Sequence, residues 1–167
     1  RYINIEEICN ASVNFSSPIK NEISNFKQVK EAAFKLRENW NIGVDGIVNA
    51  IDLLEEQGIK VLEIDAPDSF DGLSSMVNDE YPVIVLNKSF SSERKRFTAL
   101  HELGHLVLSF SKELSEKDEE NFCNLFANEM LILEPVFKNL IGTSRHDISY
   151  QELKAIQLQY GISCDAM

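Results

Sequence analysis

The stretch "FTALHELGHLVLSF" (residues 97–110) holds two histidines four residues apart in a largely apolar run. Residues four apart lie on one face of an α-helix, so His101 and His105 can offer two imidazole nitrogens to one metal ion. Glu102 is rotated by about 100° from His101, beside the ion, where a carboxylate serves as general base for a metal-activated water. Because the chain has three histidines, H-E-x-x-H arises by chance in roughly one such sequence in several hundred. The pattern predicts a buried helix that carries a zinc site.

Gly104 lies in the middle of this predicted helix, where glycine costs about 1 kcal/mol relative to alanine. We expect the close approach of another element to offset that cost. The apolar residues of the helix are expected to anchor it in the core: Leu100, Leu103, Leu106, Val107 and Leu108.

The third metal ligand must come from outside the motif, since catalytic zinc sites usually have three protein ligands. The longer H-E-x-x-H-x-x-G-x-x-H pattern is absent, because Leu108 and Ser111 stand at its glycine and third histidine. In the next predicted helix, Glu120 and Asn124 share a flank that borders the apolar face. Glu120 would close the site and Asn124 would hold a ligand by a hydrogen bond. The alternatives are His146, in a polar loop, and four acidic residues: Glu113, Glu116, Glu119 and Glu129.

Composition predicts one acidic globular domain. The chain has 167 residues, 44% hydrophobic and 26% charged, with a formal net charge of −11. Such a charge disfavours nucleic-acid binding. The segment "ISYQELKAIQLQYGIS" (148–163) faintly suggests a helix-turn-helix, but Lys154 is its only basic residue. No apolar run is long enough to span a membrane. Three scattered cysteines (Cys9, Cys123 and Cys164) favour a reducing compartment, and so a cytoplasmic location.

The order of predicted elements indicates an α+β fold, with helices packed on a small three-stranded, mostly antiparallel sheet. Helices are predicted at about 21–40, 47–58 and 116–133, the last capped by Ser115 and ended by Pro135, and a final helix begins near Ser149. Strands are predicted at 59–65, 73–77 and 83–87. Ser91 or Ser92 is expected to cap the histidine helix. The first helix is expected to share one apolar face: Ile23, Phe26, Val29, Ala33, Phe34, Leu36 and Trp40.

Two longer stretches, "ERKRFTALHELGHLVL" (93–108) and "EENFCNLFANEMLI" (119–132), resemble the ImmA/IrrE family of bacterial and phage metallopeptidases. Further similarity lies in "DGLSS" (71–75), "PVIVLN" (82–87) and the trailing "YGIS", so the resemblance spans about residues 30–163. It implies a zincin-like, gluzincin-like fold with His101 and His105 as zinc ligands and Glu102 as general base. The family's E-x-x-A-N-x-F-A stretch aligns with "ENFCNLFA" (120–127), which implies Glu120 as the third ligand.

The sequence departs from the family pattern at two places. Cys123 replaces the usual alanine, and the Met-Pro that closes the stretch aligns with Ile132 and Leu133, with the proline only at Pro135. A buried free cysteine is a mild change. The second departure concerns packing at the rim of the site rather than metal binding.

The resemblance also implies a partner. Family members are often fused to, or encoded beside, a helix-turn-helix domain, and some inactivate a transcriptional repressor. We therefore expect peptide-bond hydrolysis in a DNA-binding repressor, with Zn²⁺ bound and Mn²⁺ or Fe²⁺ as alternatives. The competing hypothesis is a zinc-binding regulatory domain that docks on a repressor without turnover. Residues 1–29 are expected to be a connecting segment and the start of the first helix, and residues 30–167 the peptidase domain, in a protein that is longer at both ends.

Two features of catalysis stay open at this point. A strand edge beside the zinc helix is expected to hold the substrate extended, and it is either "LSSMV" (73–77) or "VIVLN" (83–87). The candidates for stabilising the oxyanion are Arg94, Arg96, Tyr81 and His146.

Overall fold

A computed structural model describes residues 13–47, 49–142 and 147–160. Within these residues the helices are α1 (Phe26–Asn39), α2 (Ala50–Glu56), α3 (Ser92–Val107), α4 (Glu116–Leu131), α5 (Glu134–Ile141) and α6 (Tyr150–Tyr160). The strands are β1 (Glu22–Ile23), β2 (Lys60–Ile64), β3 (Gly72–Val77), β4 (Tyr81–Asn87) and β5 (Ser109–Phe110). None of the described helices is long and apolar enough to cross a membrane. The predicted α+β class with a small three-stranded sheet is confirmed.

The three-stranded sheet has the order β2-β4-β3. β3 and β4 form an antiparallel hairpin of six register pairs, and β2 and β4 run parallel over five. The turn between β3 and β4 contains Asn78 and Asp79, both with positive φ, which is typical of the tight turns that join such strands. β4 is the central strand, so of the two strands considered for binding a substrate only β3 lies at an edge of this sheet.

Helix α3 lies at the centre of the fold. It packs against β3 and β4 on one side and against α4 on the other, and α4 in turn packs against α1. Leu100, Leu103 and Val107 of α3 are buried, as expected from their spacing. Ser91 caps the helix by accepting a hydrogen bond from the Arg94 backbone N–H. The histidine motif therefore sits on the helix that has neighbours on both sides, which makes it rigid.

The first helix is shorter than predicted. Asn25 caps α1, so the helix begins at Phe26 rather than Asn21, and Ile23 lies in β1, which pairs with β5. The expected apolar face is only partly correct, because Phe26 is 58% exposed and Phe34 is 47% exposed. The buried positions of α1 are those that contact α4. Phe26 and Phe34 lie next to this contact surface, at its rim.

The prediction that Pro135 ends the fourth helix is wrong. α4 begins after Ser115, which forms a capping box with Asp118, but it ends at Leu131. Leu133 then begins α5, a helix that the sequence did not predict, with Pro135 in its first turn. Proline is tolerated there because the first turn of a helix has no intrahelical partner for its N–H.

Two glycines allow α3 to approach its neighbours closely. A Cβ atom on Gly104 would lie 3.1 Å from the Cys123 Sγ and 3.3 Å from its Cα, so α3 and α4 are in contact at this point. A Cβ atom on Gly72 of β3 would lie 2.8 Å from the Thr98 Cγ2 and 2.9 Å from the Val85 backbone oxygen. The close approach expected at Gly104 is confirmed, and Gly72 provides its counterpart on the sheet side of α3.

Asn87, at the end of β4, holds the loop that leads from β2 into β3. Its side-chain amide donates to the backbone oxygens of Ala66, Pro67 and Phe70, at 2.9–3.2 Å, and its Oδ1 accepts from Ser89. Asn87 is fully buried. A buried amide with all of its hydrogen-bonding groups satisfied stabilises a loop that has few backbone partners of its own.

We expect Asn87→Ala to lower the free energy of unfolding by about 2–4 kcal/mol, because it removes a fully buried amide that donates to three loop carbonyl oxygens and accepts from Ser89. Urea denaturation followed by circular dichroism measures this loss. Asn39→Ala, at an exposed position at the end of α1, is the matched control and should change the stability by less than about 0.5 kcal/mol. Equal losses in the two variants would show that Asn87 does not hold the loop.

Gly104→Val places a branched side chain where Cys123 already lies, so we expect a loss of about 1–3 kcal/mol from overpacking between α3 and α4. Lys35→Val puts the same residue on the exposed side of α1 and tests for the lower helix propensity of valine alone. Thermal unfolding of both variants gives the comparison. A Gly104→Val protein as stable as Lys35→Val would contradict a tight contact at Gly104.

Candidate metal centre

Three side chains from two helices converge at the contact between α3 and α4. The Nε2 atom of His101 lies 3.2 Å from Oε2 of Glu120, and the Nε2 atom of His105 lies 3.3 Å from Oε1 of the same carboxylate. The two Nε2 atoms are 3.2 Å apart. One ligand atom from each of the three residues lies within 4.8 Å of the other two. Histidines four apart on α3 therefore face one carboxylate of α4.

Asn124 determines which nitrogen of His101 faces the centre. Its Oδ1 lies 2.9 Å from the Nδ1 of His101. Because an amide oxygen accepts hydrogen bonds, this contact fits the tautomer of His101 that carries its proton on Nδ1, in which Nε2 presents its lone pair to the centre. This is the arrangement of a metal-binding histidine whose other nitrogen donates to a neighbouring oxygen. The hydrogen bond expected from Asn124 to a ligand is thus present, on His101.

The donor atoms fit a divalent cation. Imidazole nitrogens and a carboxylate oxygen in a small cluster are the ligands that Zn²⁺ prefers, and Mn²⁺ or Fe²⁺ also binds such a set. With Nε2 unprotonated on both rings, the two lone pairs and the negative carboxylate would repel one another, and a bound cation would remove that repulsion. The side-chain exposure rises from 14% for His101 to 29% for His105 and 58% for Glu120, so the group is open to solvent on the side of Glu120.

Glu102 points away from this group, toward the sheet. The residue is only 9% exposed, and its Oε2 accepts a hydrogen bond from the Ser74 hydroxyl at 2.7 Å. Ser74 lies on the edge strand β3, on the face that packs against α3. The carboxylate expected to act as general base is therefore held on the side of α3 that faces the edge strand.

The sequence did not single out Ser74, although it lies within the stretch "DGLSS". The signal was a polar residue at an inward position of a strand next to the histidine helix: Leu73 and Ser75 on either side are exposed, whereas Ser74 is half-buried. The alternation along a strand shows which face Ser74 lies on. It does not identify the residue that Ser74 contacts, because that depends on how β3 packs against α3.

The other acidic candidates lie outside the group formed by His101, His105 and Glu120 in the described part of the chain. Glu129 is buried against Lys30 and accepts a hydrogen bond from the Glu134 backbone N–H. Burial raises the pKa of its carboxyl, and the Glu134 N–H and Lys30 partly offset this. Glu113 and Glu116 are exposed, and Glu119 is half-buried. Glu129 therefore has a structural role.

Cys123, which replaces the family's alanine, is a free and buried cysteine. Desolvation by burial raises the pKa of its thiol well above the usual value, and the nearby carboxylates of Glu120, Glu102 and Glu119 raise it further. Cys123 packs against Gly104 and is not a member of the group formed by His101, His105 and Glu120.

The candidates for oxyanion stabilisation have other contacts. Arg94 pairs with Asp71 at 2.6 Å and lies over the Phe90 ring. Arg96 donates to the Tyr160 backbone oxygen at 3.4 Å. Tyr81 begins β4, where it pairs with Val77 of β3. His146 lies outside the described residues, as does the end of the segment considered as a helix-turn-helix.

Comparison with known proteins shows the family of the chain. Residues 54–167 match the family Peptidase_M78, described as the IrrE N-terminal-like domain. Over 74 residues the chain is 32% identical to the radiation response metalloprotease IrrE of Deinococcus radiodurans, an alignment that covers 37% of this chain and 23% of that protein. The chain thus spans less than a quarter of that relative.

A solved structure with a similar fold is a transcriptional regulator of Mycobacterium tuberculosis, with a TM-score of 0.56 at 14% identity. The likeness covers 87% of this chain and 46% of that one, and at this identity it concerns the fold alone. The family match includes both helices of the candidate metal centre, and the resemblance seen in the sequence is confirmed. Family and geometry together indicate a metallopeptidase-like domain: the chain belongs to the family of IrrE N-terminal-like domains.

Proposed function

We propose that this domain is a zinc-dependent metallo-endopeptidase that hydrolyses a peptide bond in a protein substrate. His101, His105 and Glu120 are the metal ligands, and Glu102 is the general base. The observation that carries the proposal is the convergence of two imidazoles of α3 and one carboxylate of α4, with a buried glutamate next to the first histidine. A site that only held the metal would not need a carboxylate at that position.

The residues of the site have separate roles in the proposed hydrolysis. A bound Zn²⁺ would supply a Lewis acid that polarises the scissile carbonyl and makes water acidic enough to react near neutral pH. Glu102 accepts the proton of the attacking water and transfers it to the leaving amine. Asn124 keeps the His101 ring in the tautomer and orientation that a ligand requires.

The edge strand β3 is suited to bind the substrate. Extended peptides add to a free strand edge through backbone hydrogen bonds, and within the described residues β3 pairs only with β4. Ser74 of the same strand contacts Glu102. A peptide paired along β3 would therefore pass the proposed base.

The substrate that we propose is a DNA-binding repressor. The similarity to a radiation response metalloprotease supports a role in regulation by proteolysis. The net charge of −11 favours a basic protein as partner and disfavours direct contact with nucleic acid.

Replacing Glu120 tests the metal site. We expect Glu120→Ala to weaken zinc binding by at least about a hundredfold, since removal even of a ligand's hydrogen-bonding partner weakens metal binding by 10–100-fold. Metal content after dialysis and competition with a chelator measure the change. Glu113→Ala, at an exposed position before α4, is the control and should bind metal like the parent protein. Full metal content in Glu120→Ala would contradict the assignment.

Replacing Glu102 tests the chemistry. We expect Glu102→Gln to retain the metal but to lose cleavage by about 10²–10⁴-fold, because glutamine cannot accept the proton. The measurement is cleavage of the repressor encoded nearest to this protein, with metal analysis of the same sample. If Glu102→Gln releases the repressor as well as the parent protein does, the domain acts by docking without turnover.

A further inference from the structure

The contact between Ser74 and Glu102 has the geometry of a strong hydrogen bond. The O–O distance of 2.7 Å is that of a well-formed hydrogen bond from the Ser74 hydroxyl to the Glu102 carboxylate. Glu102 is 9% exposed, so water supplies little of the solvation that its charge requires. Ser74 provides part of it from the neighbouring strand.

The contact depends on the close approach of α3 to β3. Gly72 lies two residues before Ser74, so both point to the same face of the strand. Thr98 lies four residues before Glu102, so both lie on the same face of the helix. Because Gly72 has no side chain, the Thr98 methyl group reaches the strand backbone. One turn further along α3, the same approach brings the Glu102 carboxylate to the Ser74 hydroxyl.

We propose that Ser74 is a positioning residue for the general base. Its hydroxyl fixes Oε2 of Glu102 and leaves the other oxygen to handle the proton. Glutamate has three rotatable side-chain bonds, and catalysis depends on geometry at the level of about 0.5 Å. Because Ser74 belongs to the edge strand, it also sets the base at a fixed place relative to a peptide paired with β3. This inference rests on the proposed peptidase function.

A double-mutant cycle on the metal-free protein tests the interaction without any assay of activity. Ser74→Ala should lower the equilibrium constant for folding about tenfold when Glu102 is present, as expected for a hydrogen bond to a charged group. In the Glu102→Ala background the same change should have little effect. Equal effects in the two backgrounds would mean that the two side chains are not coupled, and would overturn the proposal.

Kinetics on the zinc-loaded protein separate positioning from a merely structural role. With a quenched fluorescent peptide that the protein cleaves, Ser74→Ala should lower kcat at least about tenfold with KM and metal content unchanged. Ser74→Thr, which keeps the hydroxyl, should restore most of kcat. Ser16→Ala, at an exposed position outside β3 and both helices of the centre, should leave both constants unchanged.

The outcomes distinguish the two proposals. If Glu102→Gln abolishes cleavage but Ser74→Ala has the parent kcat, the peptidase stands and the positioning role is wrong. If Ser74→Ala raises KM instead of lowering kcat, Ser74 binds substrate and does not position the base. If Glu102→Gln cleaves the peptide as fast as the parent protein, the proposed function itself fails, whatever the cycle shows.

Discussion

The close packing of α3 between β3 and α4 is the constraint on which the rest of the structure depends. It is made possible by Gly72 on the sheet side and by Gly104 on the side of α4. A side chain at either position would push α3 away from its neighbour by a distance comparable to the whole tolerance of a metal or catalytic site, about 0.5 Å. A glycine within a helix costs about 1 kcal/mol, and the close packing that gives the site its geometry offsets this cost.

Several buried or half-buried polar side chains have a hydrogen-bond partner on another part of the chain. Glu102 of α3 accepts from Ser74 of β3, and His101 of α3 faces Asn124 of α4. Arg37 of α1, which is 1% exposed, donates to the backbone oxygens of Gly43, Asp45 and Met130. An unsatisfied buried polar group costs about 1–3 kcal/mol. These pairs therefore specify how the elements are arranged, and they stabilise that arrangement.

Local signals made much of the fold predictable. Ser91 and Ser115 were readable as helix caps because a cap involves residues three apart, and Gly58 follows α2 with the positive φ expected of a glycine at a helix end. α5 was missed because Pro135 is compatible with both the end of one helix and the first turn of the next. The two-residue strands β1 and β5 are too short to give a periodic pattern, and their pairing joins residues 22–23 to 109–110.

At the candidate site, too, local sequence patterns predicted features within one helix but not contacts between distant residues. The i, i+4 spacing of His101 and His105 is a property of one helix, so it could be predicted. Glu120 was one acidic residue among several, and spacing alone placed it only on a flank of α4. Contacts such as that between Ser74 and Glu102 join residues 28 apart, and Asn87 binds a loop up to 21 residues away. Their partners follow from the packing of α3, which no local pattern contains.

Adjacent residues of α3 face different neighbouring elements, because successive residues of a helix are rotated relative to each other. His101 faces α4, and Glu102, rotated by about 100°, faces β3. In the proposed site, the ligand group is completed by α4 and the base is oriented by β3, so substitutions are expected to separate the two roles. A displacement of α3, by contrast, moves both at once. The spacing of the motif fixes the side chains of α3 relative to each other, and the packing of α3 fixes them relative to Glu120 and Ser74. If either glycine contact is lost, we therefore expect the proposed site to be inactive even when the spacing is kept.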